Sequence, residues 1–116
     1  MSDSIRELTD TILRFRDARD WQQFHNPKDM AAAISIEAGE LLEQFLWKTL
    51  PEAEERVSTH REEIRDEIAD IGIYLIELAD NLGIDLGAAI LQKIEKNDQK
   101  YPVEKAKGNN TKYTEL

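Results

Sequence analysis

The sequence predicts an all-α protein, an antiparallel four-helix bundle completed by oligomerisation. Apolar residues recur at helical spacing, the segments are bounded by residues that start and stop helices, and no stretch alternates as a strand does. Short connections between such helices favour a bundle.

The first helix opens at Ser4-x-x-Glu7, which has the form of a capping box, and carries Ile5, Leu8, Ile12 and Phe15 on one stripe. The period is lost over Asp20-Trp21-Gln22-Gln23-Phe24-His25. Asn26-Pro27 restarts it, with Asn as N-cap, Pro at the first helical position and Asp29 favouring the dipole. The second helix should run from Pro27 to about Lys48, where Leu50-Pro51 interrupts it. An acidic segment, 51–60, suggests a short helix. A long third helix follows from about Thr59 to Leu82, with Gly83 as its left-handed stop. Asp85 caps a fourth helix from Leu86 to about Lys100, which Tyr101-Pro102 ends. We expect one domain over 1–102 and a polar tail over 103–116, mobile unless a partner holds it.

The chain has 116 residues, of which 41% are hydrophobic and 34% charged, enough for one core and not for two. Its net charge of −9 repels nucleic-acid polymers and anionic membrane surfaces. A small phosphorylated ligand stays compatible, because a bound divalent cation reverses the local field. Without cysteine there are no disulfides or thiolate metal sites. The N-terminus, Met1-Ser2-Asp3-Ser4-Ile5, lacks the apolar run of a signal peptide, and no segment approaches the roughly 20 apolar residues that span a bilayer. A cytoplasmic protein is the expectation.

Four carboxylates break the helical pattern. On the second helix Met30, Ala33, Ile34, Leu41 and Phe45 form the buried stripe, with Glu37 in its middle and Glu40 on its edge. On the third, Glu67 flanks the stripe of Ile64, Ile68, Ile71, Leu75, Leu78 and Leu82, and Asp70 lies one turn on. A single such pair is ordinarily a solvated face. Two pairs on helices expected to pack together, one of them inward, repel and raise each other's pKa, which a divalent cation relieves. Oxygen-only ligands suit Mg²⁺ or Mn²⁺ rather than Zn²⁺.

Glu37-Ala38-Gly39-Glu40 and Glu67-Ile68-Ala69-Asp70 resemble the ExxE…ExxD signature of MazG-like all-α nucleoside triphosphate pyrophosphohydrolases. Phe15-Arg16, Arg19-Asp20-Trp21, Gln23-Phe24-His25-x-Pro27-Lys28, Phe45-x-Trp47, Asp70-Ile71-x-Ile73-Tyr74-Leu75 and Lys93-x-x-x-Asn97-x-x-x-Tyr101-Pro102 are similar to the dCTP pyrophosphatase-like branch. The likeness covers about 4–102 and leaves out the tail.

The resemblance implies hydrolysis of a (deoxy)nucleoside triphosphate, dCTP or a relative, to monophosphate and pyrophosphate in nucleotide-pool house-cleaning. It implies Mg²⁺, with Mn²⁺ able to substitute, on Glu37, Glu40, Glu67 and Asp70 as the catalytic and metal-binding set. Glu40 and Glu43 are both open as general base. Trp21, His25, Lys28, Trp47, Tyr74, Lys93, Asn97 and Tyr101 are the implied substrate-binding residues. Lys93 offers phosphate a point charge, and Asn97 can read base or sugar. Trp21 and Trp47 could stack on a base, although packing is the ordinary role of an indole beside a helix.

Ile71, Ile73, Tyr74, Leu75, Ile76, Leu78 and Ala79 surround the third helix, so one stripe cannot bury them all. The resemblance accordingly implies a homodimer or homotetramer. Two rivals stand: the same chemistry on dUTP, a modified dCTP or a damaged purine nucleotide, and a non-catalytic acidic helical interaction protein.

Overall fold

The computed structural model describes residues 4–116 and is all-α, with six helices and two short 3-10 turns among the described residues. Met1, Ser2 and Asp3, on which the signal-peptide reading partly falls, lie outside them. The helices are α1 (Ile5–Ala18), α2 (Pro27–Glu43), α3 (Leu50–Thr59), α4 (Arg61–Asn81), α5 (Leu86–Lys100) and α6 (Val103–Ala106). The 3-10 turns are Gln22–Phe24 and Tyr113–Glu115.

Side-chain acceptors build the starts of α1, α2 and α5, as the capping residues predicted, and that of α3 as well. Ser4 Oγ accepts from Glu7 N at 3.2 Å, Asn26 Oδ1 from Asp29 N at 2.8 Å, and Asp85 Oδ1 from Ala88 N at 3.0 Å. Thr49 and Glu52 form a reciprocal capping box at the start of α3. The Thr49 backbone N–H, and after it the Thr49 hydroxyl, hold the Glu52 carboxyl below the usual range. Gly83 ends α4 with φ of 69°, the left-handed conformation its place required.

The second helix stops at Glu43, short of the expected Lys48. Successive i+3 bonds, Gln44 N to Leu41 O and Phe45 N to Leu42 O, tighten the chain into a turn. Trp47 then takes φ of 61°, which no helix accommodates. A turn made without glycine or proline leaves little trace in a sequence.

Two compact units result, one ending at Gly83 and another formed by Ile84–Leu116. In the first, α2 and α4 share the most extensive contact, and α1 and α3 also pack on α4. Its core holds Met30, Ile64 and Ala79. The predicted stripes are only partly buried: Phe15 on α1, Ile68 and Leu75 on α4 and its C-cap Leu82 are exposed, while Thr9, Arg16 and Glu77 are buried. In the second unit, α5 presents Leu91 and Ile94 to solvent, and Tyr101 meets Tyr113 edge-on at 5.8 Å. No helix among the described residues is long and apolar enough to cross a membrane.

Candidate functional site

Helix α2 places Glu37 and Glu40 one turn apart, and α4 does the same for Glu67 and Asp70. Packing of α2 on α4 joins the pairs. One carboxylate oxygen each from Glu37, Glu67 and Asp70 lies within 4.8 Å of the other two. Glu37 and Glu67 are half-buried, and Asp70 is exposed. Glu40 is exposed and stands outside that trio, yet its charge acts on both Glu37 and Glu67.

This geometry is costly for the protein alone. Glu37 Oε2 and Glu67 Oε2 are shielded from water and have no donor, so carboxyls face carboxyls. Partial removal from water pushes the Glu37 carboxyl up to about 7, and the proximity of Glu40, Asp70 and Glu67 adds to the effect. Glu67 is raised as well, by desolvation first and the Glu40 charge next. Tyr74, half-buried, has its phenol raised by burial and then by Glu37 and Asp70. A hard divalent cation would satisfy the orphaned oxygens and offset the crowded charge, and an all-oxygen donor set fits such an ion.

A second acidic cluster behaves differently. Glu77, on α4, is 2% exposed and fully partnered. Its Oε2 receives His25 Nδ1 at 2.7 Å and Asn81 Nδ2 at 3.2 Å, and lies 3.6 Å from the Arg16 guanidinium. Arg16 also donates to Asn81 Oδ1 at 3.0 Å and to Asp17 Oδ1 at 2.8 Å. Burial alone would lower the Arg16 pKa; Asp17 and Glu77 outweigh it and hold the pKa above its usual value. Sequence reasoning missed Glu77 and Asn81 and saw Arg16 only as part of a motif. The available signal was a lone acid inside the otherwise apolar run from Ile71 to Ala79.

The other expected substrate residues fall in several places. Trp21 and His25 flank the 3-10 turn, their rings 6.3 Å apart, and Trp21 also meets Phe15 edge-on at 5.8 Å. Lys28 is exposed in the first turn of α2, and Trp47 is 92% exposed. Lys93 and Asn97 are exposed on α5 and Tyr101 is its C-cap, all in the second unit. An apolar cleft of about 490 Å³ lies in the first unit. Leu41, Phe45, Val57, Ile64 and Ile68 line it with Arg61 and Arg65; Leu41 and Ile68 directly follow Glu40 and Glu67 in the chain.

Known proteins are similar to this chain in sequence and fold. The model of the MazG-like family matches residues 32–116, including the tail that the motif resemblance left out. The chain is 40% identical to human dCTP pyrophosphatase 1 and 39% identical to the mouse protein over 115 residues. Those matches cover 97% of this chain and 68% of each relative. A pyrophosphatase from Archaeoglobus fulgidus, known from its crystal structure, superimposes with a TM-score of 0.82 at 42% identity. That alignment covers 88% of this chain and 95% of the archaeal one. On sequence and fold together, the chain belongs to the MazG-like family.

Proposed function

We propose that this protein is a nucleoside triphosphate pyrophosphohydrolase that converts dCTP, or a closely related deoxynucleotide, to the monophosphate and pyrophosphate in nucleotide-pool house-cleaning. The observation that carries the reading is the trio Glu37, Glu67 and Asp70, with two buried oxygens lacking donors. Similarity to enzymes named dCTP pyrophosphatase supports the substrate.

In the reaction, water adds to phosphorus, the α–β anhydride bond breaks and pyrophosphate leaves, with the water's proton passing to a base. Glu37, Glu40, Glu67 and Asp70 are assigned to hold Mg²⁺, with Mn²⁺ as a substitute. When bound, the cation neutralises charge on the phosphates and on the leaving pyrophosphate. Glu40 and Glu43, both exposed on α2, are the candidates to take the proton. Tyr74, beside the carboxylates with its pKa raised, stays protonated and can donate a hydrogen bond.

Trp21, His25, Lys28 and Trp47 are assigned to the nucleotide from the first unit. Lys93, Asn97 and Tyr101 are assigned on the motif they share with the family. Exposed apolar residues, among them Leu42 at 65% and Leu50 at 81%, support a homodimer or homotetramer. We place the activity in the cytoplasm. Pyrophosphate release from dCTP, dUTP, dTTP, dATP and dGTP, each with and without Mg²⁺, tests the reading. Metal-dependent release with dCTP ahead is the expected result. A purine nucleotide preferred by about tenfold or more would overturn the pyrimidine assignment and leave the chemistry standing; no release from any nucleotide would overturn both.

A further inference from the structure

The Trp21–His25 turn is held at both ends by groups outside the carboxylate cluster. At its start, Trp21 N donates to Arg16 O at 3.2 Å, after Asp20 has taken φ of 55°. At its end, Asn81 Nδ2 reaches the His25 carbonyl at 3.5 Å, and the His25 ring is bound by Glu77. Arg16 and Asn81 also bond each other, which joins the two anchors.

The proton on His25 is fixed by what surrounds Glu77. Arg16, Asn81 and His25 all converge on its carboxylate, and an ionised carboxylate can only accept. The ring nitrogen facing it, Nδ1, therefore carries a hydrogen. Nε2 is left for a ligand, and the His25 side chain keeps 19% of its exposure while Glu77 keeps 2%.

We propose that Arg16, Glu77 and Asn81 form a positioning clamp that fixes the Trp21–His25 turn and presents His25 Nε2 to the nucleotide. The inference rests on the reading of His25 as a nucleotide-binding residue and adds three residues that act through it. None of the three is a catalytic residue. Because orientation of a bound group is at stake, the effect falls on KM more than on kcat.

Removing Glu77 alone would leave Arg16 buried with less compensation, so the test uses paired variants of the full chain that keep no buried unpaired charge, the Asp17 carboxylate being exposed. Nitrogen NMR of the His25 ring, taken where it is neutral, reads the tautomer, and steady-state kinetics with dCTP reads KM and kcat. Wild type should carry the proton on Nδ1. In R16M/E77L the ring should relax to the Nε2–H form, with KM raised about tenfold and kcat within about twofold. R16M/E77Q, which restores an acceptor without a charge, should recover most of both signals.

An Nε2–H tautomer in wild type, or an unchanged KM in R16M/E77L, would overturn the clamp. His25→Ala separates the two failures. If it raises KM while R16M/E77L does not, the clamp alone is wrong. If it too leaves KM unchanged, the assignment of His25 to the nucleotide has failed and the clamp falls with it.

Discussion

Helix α4 carries two acidic clusters that solve the same problem in opposite ways. Glu77 is the more deeply buried, yet a guanidinium, an imidazole and an amide surround it. Glu67, ten positions earlier on the same helix, is less buried and faces Glu37, Glu40 and Asp70, all of them carboxylates. Burial alone therefore does not mark a functional acid. A satisfied buried acid fixes structure; a half-buried cluster of acids with orphaned oxygens is arranged for something that arrives from outside.

The two clusters should respond oppositely to neutral substitution. Glu37→Gln, Glu67→Gln and Asp70→Asn should each lower kcat/KM by about 100-fold or more, and Glu40→Gln should do the same. Melting temperatures of these variants should be unchanged or higher, since each relieves repulsion between carboxyls. Wild-type turnover in any two would remove the metal-site assignment.

Glu77→Leu without a change at Arg16 should do the reverse, destabilising the protein by about 3 kcal/mol, because it leaves a buried guanidinium short of a partner. Urea denaturation measures this. Adding Arg16→Met should recover much of the loss, and if it recovers none the pair is not what Glu77 contributes to stability.

The unequal pairing explains what could be read in advance. Glu37 interrupts an apolar stripe and Glu67 flanks one, each on its own helix, and Glu40 and Asp70 lie one turn from them, so the sequence suggests all four as candidates. Those are local patterns. Glu77 pairs with His25 across 52 positions, and Arg16 with Asn81 across 65, so no window along the chain contains either partnership. Helix ends divide the same way. Gly83 and Asp85 announced the close of α4 and the start of α5, whereas α2 ends at Glu43 in i+3 turns, followed by a positive φ at Trp47, that no glycine or proline announces. The burial of Arg16 in place of Phe15 was hidden too, since a stripe drawn on α1 alone cannot anticipate a carboxylate supplied by α4.

A smaller effect separates the clusters by pH. The Glu37 carboxyl moves from 4.5 to about 7 on folding, so between those values the metal-free folded state binds more protons than the unfolded one. Its stabilising contribution is fully present below pH 4.5 and is lost as pH rises through about 7. Denaturant titrations of metal-free protein should show that decline, and Glu37→Gln should flatten it. Divalent cation should stabilise the wild type more at pH 8 than at pH 5.5, because cation and proton compete for the same oxygens. Equal stabilisation at both pH values would argue that the cation binds elsewhere.

The most direct test of the central claim, that the unpaired carboxylates hold a divalent cation required for cleavage at the α–β anhydride, is phosphorus NMR of dCTP incubated with the protein. With Mg²⁺ present, resonances of a monophosphate and pyrophosphate should replace those of the triphosphate, and chelation of the metal by EDTA should stop the conversion. Orthophosphate with a diphosphate as products, or conversion that continues at full rate in EDTA, would contradict it.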